Sequence, residues 1–465
     1  MSKYLRSSIL SIRYSRFSDK QFPKTLFLST TQSTVKTPVP NTDNRKPRPE
    51  AALKPESSNS LPADSGQPST LKVFAALAAC HWLGDCYGGM WPMFKYLADL
   101  DLGKAGMIAT VSTLLGAGLQ PLFGVLSDRG AQRGLVLWGV GLAAAGMLLG
   151  PVSLIGDAMT QFQWYGLMFL IVLVVRVGQG MYHPSAASAA GNLNSERRSM
   201  FVSMFIAAGM FGFASSQGLF SYVFILTGGH TEWMLIPAAM ILLFGFAWCR
   251  PVLPSREDAQ GRRHRISDLA AIRRPLAILF LFEVMIGGWF HGIIFLMPEL
   301  LEESAYPVWM VQGTGYFFWV AGSATLMILA GHLSDLFRGT RVLTAFTGIG
   351  LVLYYAVVLA GPIPWWVMLG LLFVAGGCIG SANPMAVAMG QRLDPRHTSL
   401  ISGILMGLAW AVASPADWIV GVLAQQPKIG VTGALLLLGI AGVFAFIFAL
   451  LLPLALKRTT PVVPG

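Results

Sequence analysis

The sequence predicts an all-α, polytopic membrane protein, and its composition and charge spacing are the observations that predict it. Hydrophobic residues make up 54% of the 465-residue chain and charged residues only 12%, whereas a soluble domain carries about 25% charged residues. The charges are also clustered, so apolar stretches recur between Lys72 and Leu456. Roughly twenty apolar residues are needed to span a bilayer as a helix, and the stretches have that length.

Twelve stretches meet these criteria of length and apolarity. They cover residues 72–98, 104–127, 134–156, 161–190, 198–227, 232–250, 275–301, 306–331, 341–361, 364–390, 398–424 and 430–456. A basic segment divides them into six and six. We therefore predict twelve transmembrane helices in two six-helix bundles, residues 71–250 and 275–458, joined by a cytoplasmic linker, residues 251–274, and followed by a tail, residues 459–465.

Residues 1–70 differ in kind from the rest of the chain. They are polar and rich in proline and serine, and they contain no apolar run typical of a signal peptide. Segments of this composition cannot bury enough apolar surface to fold. We expect a disordered cytoplasmic tail, although its basic, serine-rich start is also typical of a transit peptide.

The positions of lysine and arginine predict which side of each span faces the cytoplasm, because loops rich in these residues stay on that side. The loops after spans 2, 4, 8 and 10 carry Arg129, Arg133, Arg197, Arg198, Arg338, Arg341, Arg392 and Arg396. The segment from Arg250 to Arg274 adds seven arginines against three acidic residues. We therefore expect a multi-pass protein of the cell (inner) membrane with both termini cytoplasmic. The net charge of +11 reflects this topology rather than nucleic-acid binding.

Several classes of activity find no support in the sequence. The four cysteines, Cys80, Cys86, Cys249 and Cys378, show neither disulfide nor metal-ligand spacing. There is no phosphate-binding loop, which argues against ATP-driven transport. There is also no nucleophile-and-base arrangement of the kind that indicates an enzyme. We expect no metal and no cofactor, with a proton gradient as the energy source.

The two halves repeat each other in sequence. The segment "GVLSDRGAQRG" follows the second span and "GHLSDLFRGTR" follows the eighth. A constant offset of 200 pairs Pro184 with Pro384, and an offset of 206 places His291 opposite Asp85. A repeat in the same orientation predicts an axis along the membrane normal. A seam between the bundles is then available for solute binding.

These motifs resemble those of the major facilitator superfamily. The two copies of its loop motif are filled by Gly124, Asp128, Arg129 and Arg133, and by Gly331, Asp335, Arg338 and Arg341. Its fourth-helix motif, R-x-x-Q-G, is matched at Arg176, Gln179 and Gly180. The resemblance implies a secondary transporter that works by alternating access, with the loop-motif residues acting as a conformational gate. The alternative for the loop residues is plain topology-setting charge.

A narrower resemblance points to the fosmidomycin-resistance group of efflux proteins. It is carried by His81 and Asp85 in the first span and by Tyr182, His183 and Pro184 in the fourth. It implies proton-coupled efflux of a drug or other small molecule. The fifth-helix motif of antiporters is matched poorly, since the fifth span lacks its proline. Proton-coupled or facilitated uptake of an organic anion or sugar is therefore the alternative, followed by a non-transporting receptor or scaffold.

Ionisable residues inside the spans are the candidates for proton coupling, since unpaired charge is costly in a membrane. They are Asp85, Arg176, His183, His291, Glu283 and Asp417. Asp85 and Arg176 both lie near the middle of their spans, and we expect them to face each other or water. Burial disfavours a charged carboxyl group and a neighbouring cation favours it, so Asp85 is the predicted proton carrier. Arg176 would govern the proton affinity of Asp85 or bind an anionic substrate. The alternative is that the two residues form a purely structural ion pair.

The same cleft is the predicted substrate site. Its candidate residues are Arg176, His81, Tyr87, Trp91, Tyr182, Trp289, Phe290 and Trp410. Membrane-interface belts and helix packing are the alternative explanation of the aromatic residues. His81 precedes Asp85 by four residues, so the two side chains can touch on one helix face. The expected partners are a small-molecule substrate, protons and the lipid bilayer, with no nucleic acid, and the expected state is a monomer.

Overall fold

The computed structural model describes residues 70–127, 131–193, 198–248, 272–394 and 401–457. Four predictions lie outside these residues. They concern the tail predicted over residues 1–70 (all but Thr70, which begins the first helix), most of the linker, the gate residues Asp128 and Arg129, and the last tail, residues 459–465. The side chain of Asp335 is also outside the description.

The described part of the chain is helical, without strands, and consists of twelve spans. They are α1 (Thr70–Gly88 and Trp91–Leu97), α2 (Leu102–Gly118 and Gln120–Leu126), α3 (Gln132–Ala143, Ala144–Leu148 and Leu149–Leu154), α4 (Gln161–Asn192), α5 (Arg198–Leu226), α6 (Thr231–Met234 and Leu235–Trp248), α7 (Arg273–Glu303), α8 (Met310–Thr314 and Gly315–Leu336), α9 (Gly339–Leu359), α10 (Trp365–Gly380 and Ala382–Leu393), α11 (Gly403–Leu408, Ala409–Ala413 and Pro415–Ala424) and α12 (Gly430–Lys457).

Ten of these spans are long and apolar enough to cross a membrane by length and composition. The other two are α1, which carries His81 and Asp85 in its middle, and α6, whose apolar part is shorter. The predicted all-α, polytopic fold class is confirmed.

Each half packs its own helices before the halves meet. In the N-terminal half α1 packs on α5, and α4 packs on α2 and α3. In the C-terminal half α7 packs on α12, and α8 and α9 pack on α10. Between the halves, α2 packs on α11, α5 on α8 and α1 on α7. These three contacts form the seam that the repeat predicts.

The seam is tightest at one end, which we call the Asp101 side; the opposite end, where α6 ends and α7 begins, is the linker side. The backbone N–H of Gly103 donates to Gln425 Oε1 at 3.1 Å, and Gln425 Nε2 donates to Asp101 Oδ2 at 2.8 Å. Partial burial raises the pKa of Asp101, but the donors from Lys104 and Gln425 outweigh it and hold the pKa below its usual value. Asp101 is therefore ionised near neutral pH and keeps this link between the halves.

Glycines bring the helices of the seam together on the Asp101 side. A Cβ atom at Gly106 would lie 2.4 Å from the carbonyl oxygen of Asp417, and one at Gly421 would lie 2.3 Å from that of Leu102. Nearer the linker side, a Cβ at Gly407 would lie an ordinary 3.6 Å from the carbonyl oxygen of Ala117. The α2–α11 contact thus loosens toward the linker side, and the structure is closed on the Asp101 side.

A second close approach joins α5 to α8. Gly313 has a φ of +124° in the first turn of α8, a conformation that favours glycine. A Cβ there would lie 2.4 Å from the backbone nitrogen of Gly218. In the same region the hydroxyl of Ser221 donates to the carbonyl oxygen of Gln312 at 2.5 Å. This contact closes the seam from the other flank.

Candidate functional site

A cluster of two histidines and one carboxylate occupies the N-terminal half. Asp85 Oδ1 lies 2.8 Å from His183 Nε2, and Asp85 Oδ2 lies 3.3 Å from His81 Nε2. His81 and Asp85 are buried or nearly so, with exposed side-chain fractions of 7% and 13%, whereas the His183 side chain is 35% exposed. The expected contact between His81 and Asp85 is confirmed, and α4 adds His183 to it.

The hydrogen bonds of His81 restrict where protons can reside in this cluster. His81 Nδ1 is 2.7 Å from the carbonyl oxygen of Phe205, and a carbonyl oxygen only accepts, so Nδ1 carries a hydrogen. His81 Nε2 can then donate to Asp85 only when the ring is doubly protonated and charged. His183 Nε2 can donate to Asp85 in either charge state. The cluster therefore has two states, with the His81 ring singly or doubly protonated. They differ in whether His81 donates a hydrogen bond to the carboxylate of Asp85.

The same three groups offer ligand atoms for a divalent cation, since these atoms lie within 4.8 Å of one another. Two imidazoles and a carboxylate are a common ligand set for zinc or iron. Hydrogen bonding of the two histidines to Asp85 explains the closeness of these atoms equally well. The geometry is thus not specific for a metal.

Helix α5 covers the cluster at a glycine. A Cβ at Gly209 would lie 2.4 Å from the Nε2 atom of His81 and 2.6 Å from Asp85 Oδ2. The ring of Phe205, one turn earlier on α5, stacks on the His81 ring with centroids 4.0 Å apart. The small residue therefore lets α5 close over the histidine–carboxylate contact.

Replacing Gly209 with alanine is expected to displace His81 or Asp85, because the new Cβ would lie 2.4 Å from one and 2.6 Å from the other, and both are held by hydrogen bonds. Overpacking of this kind costs about 1–3 kcal/mol, so the melting temperature of the purified protein should fall. Gly218→Ala on the same helix is the matched control, since a Cβ there meets nothing within 4 Å. Equal melting temperatures for the two variants would contradict the assigned packing.

A small cavity lies between the halves and brings charged residues of both together. Its polar lining consists of Arg176 from α4, His291 from α7 and Asp417 from α11. Its apolar lining consists of Trp91, Pro92, Phe213, Ile294 and Phe295, with Gly88 and Gly89 beside them. The three polar residues are thus at one place in the seam, as expected for residues lining a cleft between the bundles.

Asp85 and Arg176, which we expected to face each other or water, form no ion pair or hydrogen bond with each other; the two belong to different clusters. Arg176 Nη1 donates to Gln179 Oε1 at 2.9 Å, and Asp85 contacts the two histidines. The reason is the antiparallel register of α1 and α4. A Cβ at Gly88 would touch the amide of Gln179, which places Asp85 level with His183. Arg176 lies seven residues before His183, or about 10 Å along the helix, and so is level with Trp91.

Residues 73–416 match the family described as the Major Facilitator Superfamily, which is well over half of the chain. The chain belongs to this superfamily. It is therefore a multi-pass membrane transporter and not an enzyme. The family has the twelve-helix fold seen here, and the predicted resemblance is confirmed.

Two relatives and two solved structures illustrate the similarity. The uncharacterized MFS-type transporter YfnC of Bacillus subtilis (strain 168) is 22% identical over 388 residues, covering 81% of this chain and 92% of the relative. The fosmidomycin resistance protein of Escherichia coli (strain K12) is 20% identical over 378 residues, covering 77% and 87%. An inward-facing, unoccupied bacterial homolog of the human lysosomal transporter Spinster has a TM-score of 0.65 at 13% identity, covering 86% of this chain and all (100%) of that chain. The nucleoside transporter NupG has a TM-score of 0.60 at 16% identity, covering 83% and 98%. At these identities the structures support the fold alone.

The superfamily loop motif is only partly within the described residues. A Cβ added at Gly124 or Gly331 would meet nothing within 4 Å, and Arg338 and Arg341 are exposed at the linker-side turn between α8 and α9. Gln132 stands where this chain shifts the basic position of the motif. It is buried, and its Nε2 donates to the carbonyl oxygen of Ser185 at 3.0 Å. Gln132, the residue that departs from the family pattern, thus joins α3 to α4. The gate role of Arg133 and the other motif residues stays a prediction.

Three predicted substrate residues lie in helix packing instead of the cavity lining. Tyr87, Tyr182 and Trp289 are each at most 2% exposed. The hydroxyl of Tyr87 donates to a carbonyl of α6 at 2.7 Å, and that of Tyr182 to a carbonyl of α1 at 2.7 Å. The Trp289 ring packs on Tyr354 with centroids 5.2 Å apart. Large aromatic side chains fill these gaps because they bury much apolar surface.

The other aromatic candidates lie at or next to the cavity. Trp91 lines it, and Trp410 packs edge-on against His291 with ring centroids 5.0 Å apart. Phe290 is beside His291, at a centroid distance of 6.0 Å. Glu283 lies elsewhere in α7, is fully buried, and accepts a hydrogen bond from Asn383 Nδ2 at 2.6 Å. Its contact joins α7 to α10 within one half, so it does not face the cavity.

An ion pair between Lys95 and Glu299 was missed by reasoning from sequence. It joins α1 to α7, and the side chain of Lys95 has no exposed surface (0%). The repeat contained a signal: Lys95 follows Pro92 by three residues, and Glu299 directly follows Pro298, the partner of Pro92 at an offset of 206. Opposite charges at matching levels of repeat-related helices indicate a pair across the seam.

Proposed function

We propose that the protein exports a small molecule in exchange for protons and that the Asp85–His81–His183 cluster is its proton site. The observation that carries the proposal is the shared carboxylate. Asp85 is contacted by two histidine nitrogens, and an imidazole can gain or lose a proton at a ring nitrogen. A buried group of this kind is the default proton-relay candidate in a membrane protein. The fosmidomycin resistance protein, a distant relative, supports export as the direction.

The proposed orientation places the linker side in the cytoplasm of a cell with an inner membrane, with both termini cytoplasmic. It rests on the distribution of lysine and arginine and on the bacterial relatives. The closed Asp101 side then faces outward. His183, the most exposed member of the cluster, provides the route by which a proton leaves toward the cytoplasm. A monomer is sufficient for this arrangement, because one chain supplies both halves of the cavity.

The cycle follows from the two charge states of the cluster. A proton taken up from the outside makes the His81 ring doubly protonated and completes its hydrogen bond to Asp85. Release of that proton removes one charge from the N-terminal half. Because α1 and α4 carry both the cluster and the cavity residues Trp91 and Arg176, the change in charge alters the packing at the substrate cavity. Binding of solute and loss of the proton are thereby coupled.

The test uses inverted membrane vesicles with an imposed proton gradient and a fluorescent pH reporter. Cationic drugs, phosphonates and organic acids are added to the wild type and to the Asp85→Asn variant. In the wild type we expect a transported compound to dissipate the gradient, and in the variant the signal should fall to that of vesicles without the protein. The reason is that the amide of asparagine keeps the shape of the site but lacks the negative charge that stabilises the doubly protonated His81 ring.

Glu232→Gln is the control, because Glu232 is partly exposed and pairs with His230 outside the cluster. It should transport like the wild type. Solute and protons moving in the same direction would refute export and favour uptake of an organic anion or sugar. Full proton coupling in Asp85→Asn would refute the cluster as the proton site.

A further inference from the structure

Two opposite charges from opposite halves line the cavity without pairing with each other. Arg176 belongs to α4 and Asp417 to α11, and both line the same cavity. Within the described part of the chain no ion pair joins them: Arg176 Nη1 donates to Gln179. Arg176 Nε and Asp417 Oδ1 are enclosed and have no protein hydrogen-bond partner. A buried polar group without a partner is costly, so these two atoms are aimed at something other than protein.

Two further hydrogen-bonding atoms beside Arg176 and Asp417 are also without a protein partner. They are His291 Nε2, in the cavity lining, and Nε1 of Trp410, whose ring packs on His291. The remaining walls are the rings of Trp91, Phe213 and Phe295. The lining thus combines a cationic group, an anionic group and apolar walls. Ligand pockets commonly combine apolar walls with a few placed polar groups in this way.

The nearby second pair of charges does not neutralise this arrangement. Lys95 is ion-paired with Glu299 across the seam, and its ammonium lies over the Phe295 ring at 4.5 Å from the centroid. Lys95 therefore has its own counter-charge, and Arg176 and Asp417 are the two cavity-lining charges without an ion-pair partner among the described residues. Each cavity charge comes from a different half, so a ligand that contacts both must bridge the halves.

We propose that the cavity binds a small zwitterion, with its anionic group on Arg176 and its ammonium group on Asp417. This assignment rests on the proposed function in taking the bound molecule to be the transported one. A simple anion would leave its charge facing the carboxylate of Asp417, and a simple cation would face the guanidinium of Arg176. A molecule with both charges satisfies both groups at once. Specificity would then come from repulsion of singly charged analogues as much as from attraction.

The experiment compares matched sets of compounds on the full-length protein in lipid nanodiscs by thermal stability. One set is built on phenylalanine. L-phenylalanine carries both charges, N-acetyl-L-phenylalanine carries the negative charge only, and L-phenylalanine amide carries the positive charge only. A second set is built in the same way on 4-aminobutyrate, whose charges are farther apart. In at least one set, we expect the zwitterion to bind at least about tenfold more tightly than either analogue, as expected for a charged hydrogen-bond partner.

Variants assign the two ends of the ligand. In Asp417→Asn the preference for the zwitterion over the N-acetyl analogue should disappear. In Arg176→Gln the preference for the zwitterion over the amide should disappear. Glu232→Gln should retain both preferences. The wild-type comparison needs no variant, so it stays decisive if a variant fails to fold.

Three outcomes would overturn the inference: an N-acetyl or amide analogue that binds the wild type as well as its zwitterion, an unchanged preference in Asp417→Asn, or no binding of either zwitterion. The readout is independent of proton movement. Zwitterion binding without proton coupling would refute the proposed coupling and leave this inference standing. Proton-coupled export of singly charged compounds alone would refute this inference and leave the proposed coupling standing.

Discussion

Replacing Gly106 with valine is expected to prevent the transporter from closing on the Asp101 side. A Cβ atom at this position would lie 2.4 Å from the carbonyl oxygen of Asp417 and 2.7 Å from the Cα atom of Trp418. Both are backbone atoms, which cannot rotate away. Overpacking in a well-packed contact costs about 1–3 kcal/mol and occasionally more, so the equilibrium constant for closing should fall by about 5- to 150-fold. Transport should be lost with it.

Spin labels can measure the effect directly. They are placed at Lys104→Cys and Lys428→Cys, since both lysines are exposed on the Asp101 side in different halves. In Gly106→Val the distance between the labels should lengthen. Gly118→Val on the same helix is the control, because a Cβ there meets nothing within 4 Å. A wild-type distance distribution and normal transport in Gly106→Val would show that the α2–α11 contact is not the closed seam.

The substitution Glu299→Gln is expected to destabilise the closed state strongly, because it leaves the ammonium of Lys95 buried without a counter-charge. Breaking a buried ion pair from one side costs about 3–5 kcal/mol. The pair joins α1 to α7, so the loss falls on the state in which the halves touch on the Asp101 side. The melting temperature should fall and the distance between the two spin labels should lengthen.

The double variant Lys95→Met with Glu299→Gln provides the matched control. It removes both charges, and replacing a buried pair by uncharged groups of similar size is often close to neutral. We expect it to recover most of the stability and of the short distance between the labels. If the double variant is as unstable as the single one, the ion pair is not what holds the two helices together.

Much of the fold was predictable from the sequence. A bilayer requires about twenty apolar residues for each helix, and this is a property of a linear segment that needs no knowledge of its neighbours. The spans, their division into two halves and the repeat between Pro184 and Pro384 could therefore be recognised without a structure. The contact of His81 with Asp85 was also predictable, because four residues on one helix bring side chains together.

The pairing of charges between helices was not predictable in the same way. Asp85 and Arg176 are both near the middle of their spans, which suggested that they face each other or water. Whether two such groups meet depends on the axial register of the helices, and a shift of two turns moves a side chain by about 10 Å. Here the close approach of Gly88 to Gln179 sets the register of α1 and α4, and Asp85 meets His183.

The sequence by itself therefore determined the membrane class, the number and order of the spans, the two-fold repeat and the set of charged residues that the membrane makes costly. Only the tertiary structure decided which of them share a site: Asp85 with His81 and His183 in one half, and Arg176 with Asp417 across the seam. The physical reason is that hydropathy acts along the chain, one segment at a time. The distances between charges are set by how closely the helices pack, which depends on glycines such as Gly106 and Gly209. These glycines are far apart in the sequence from the residues that they bring together.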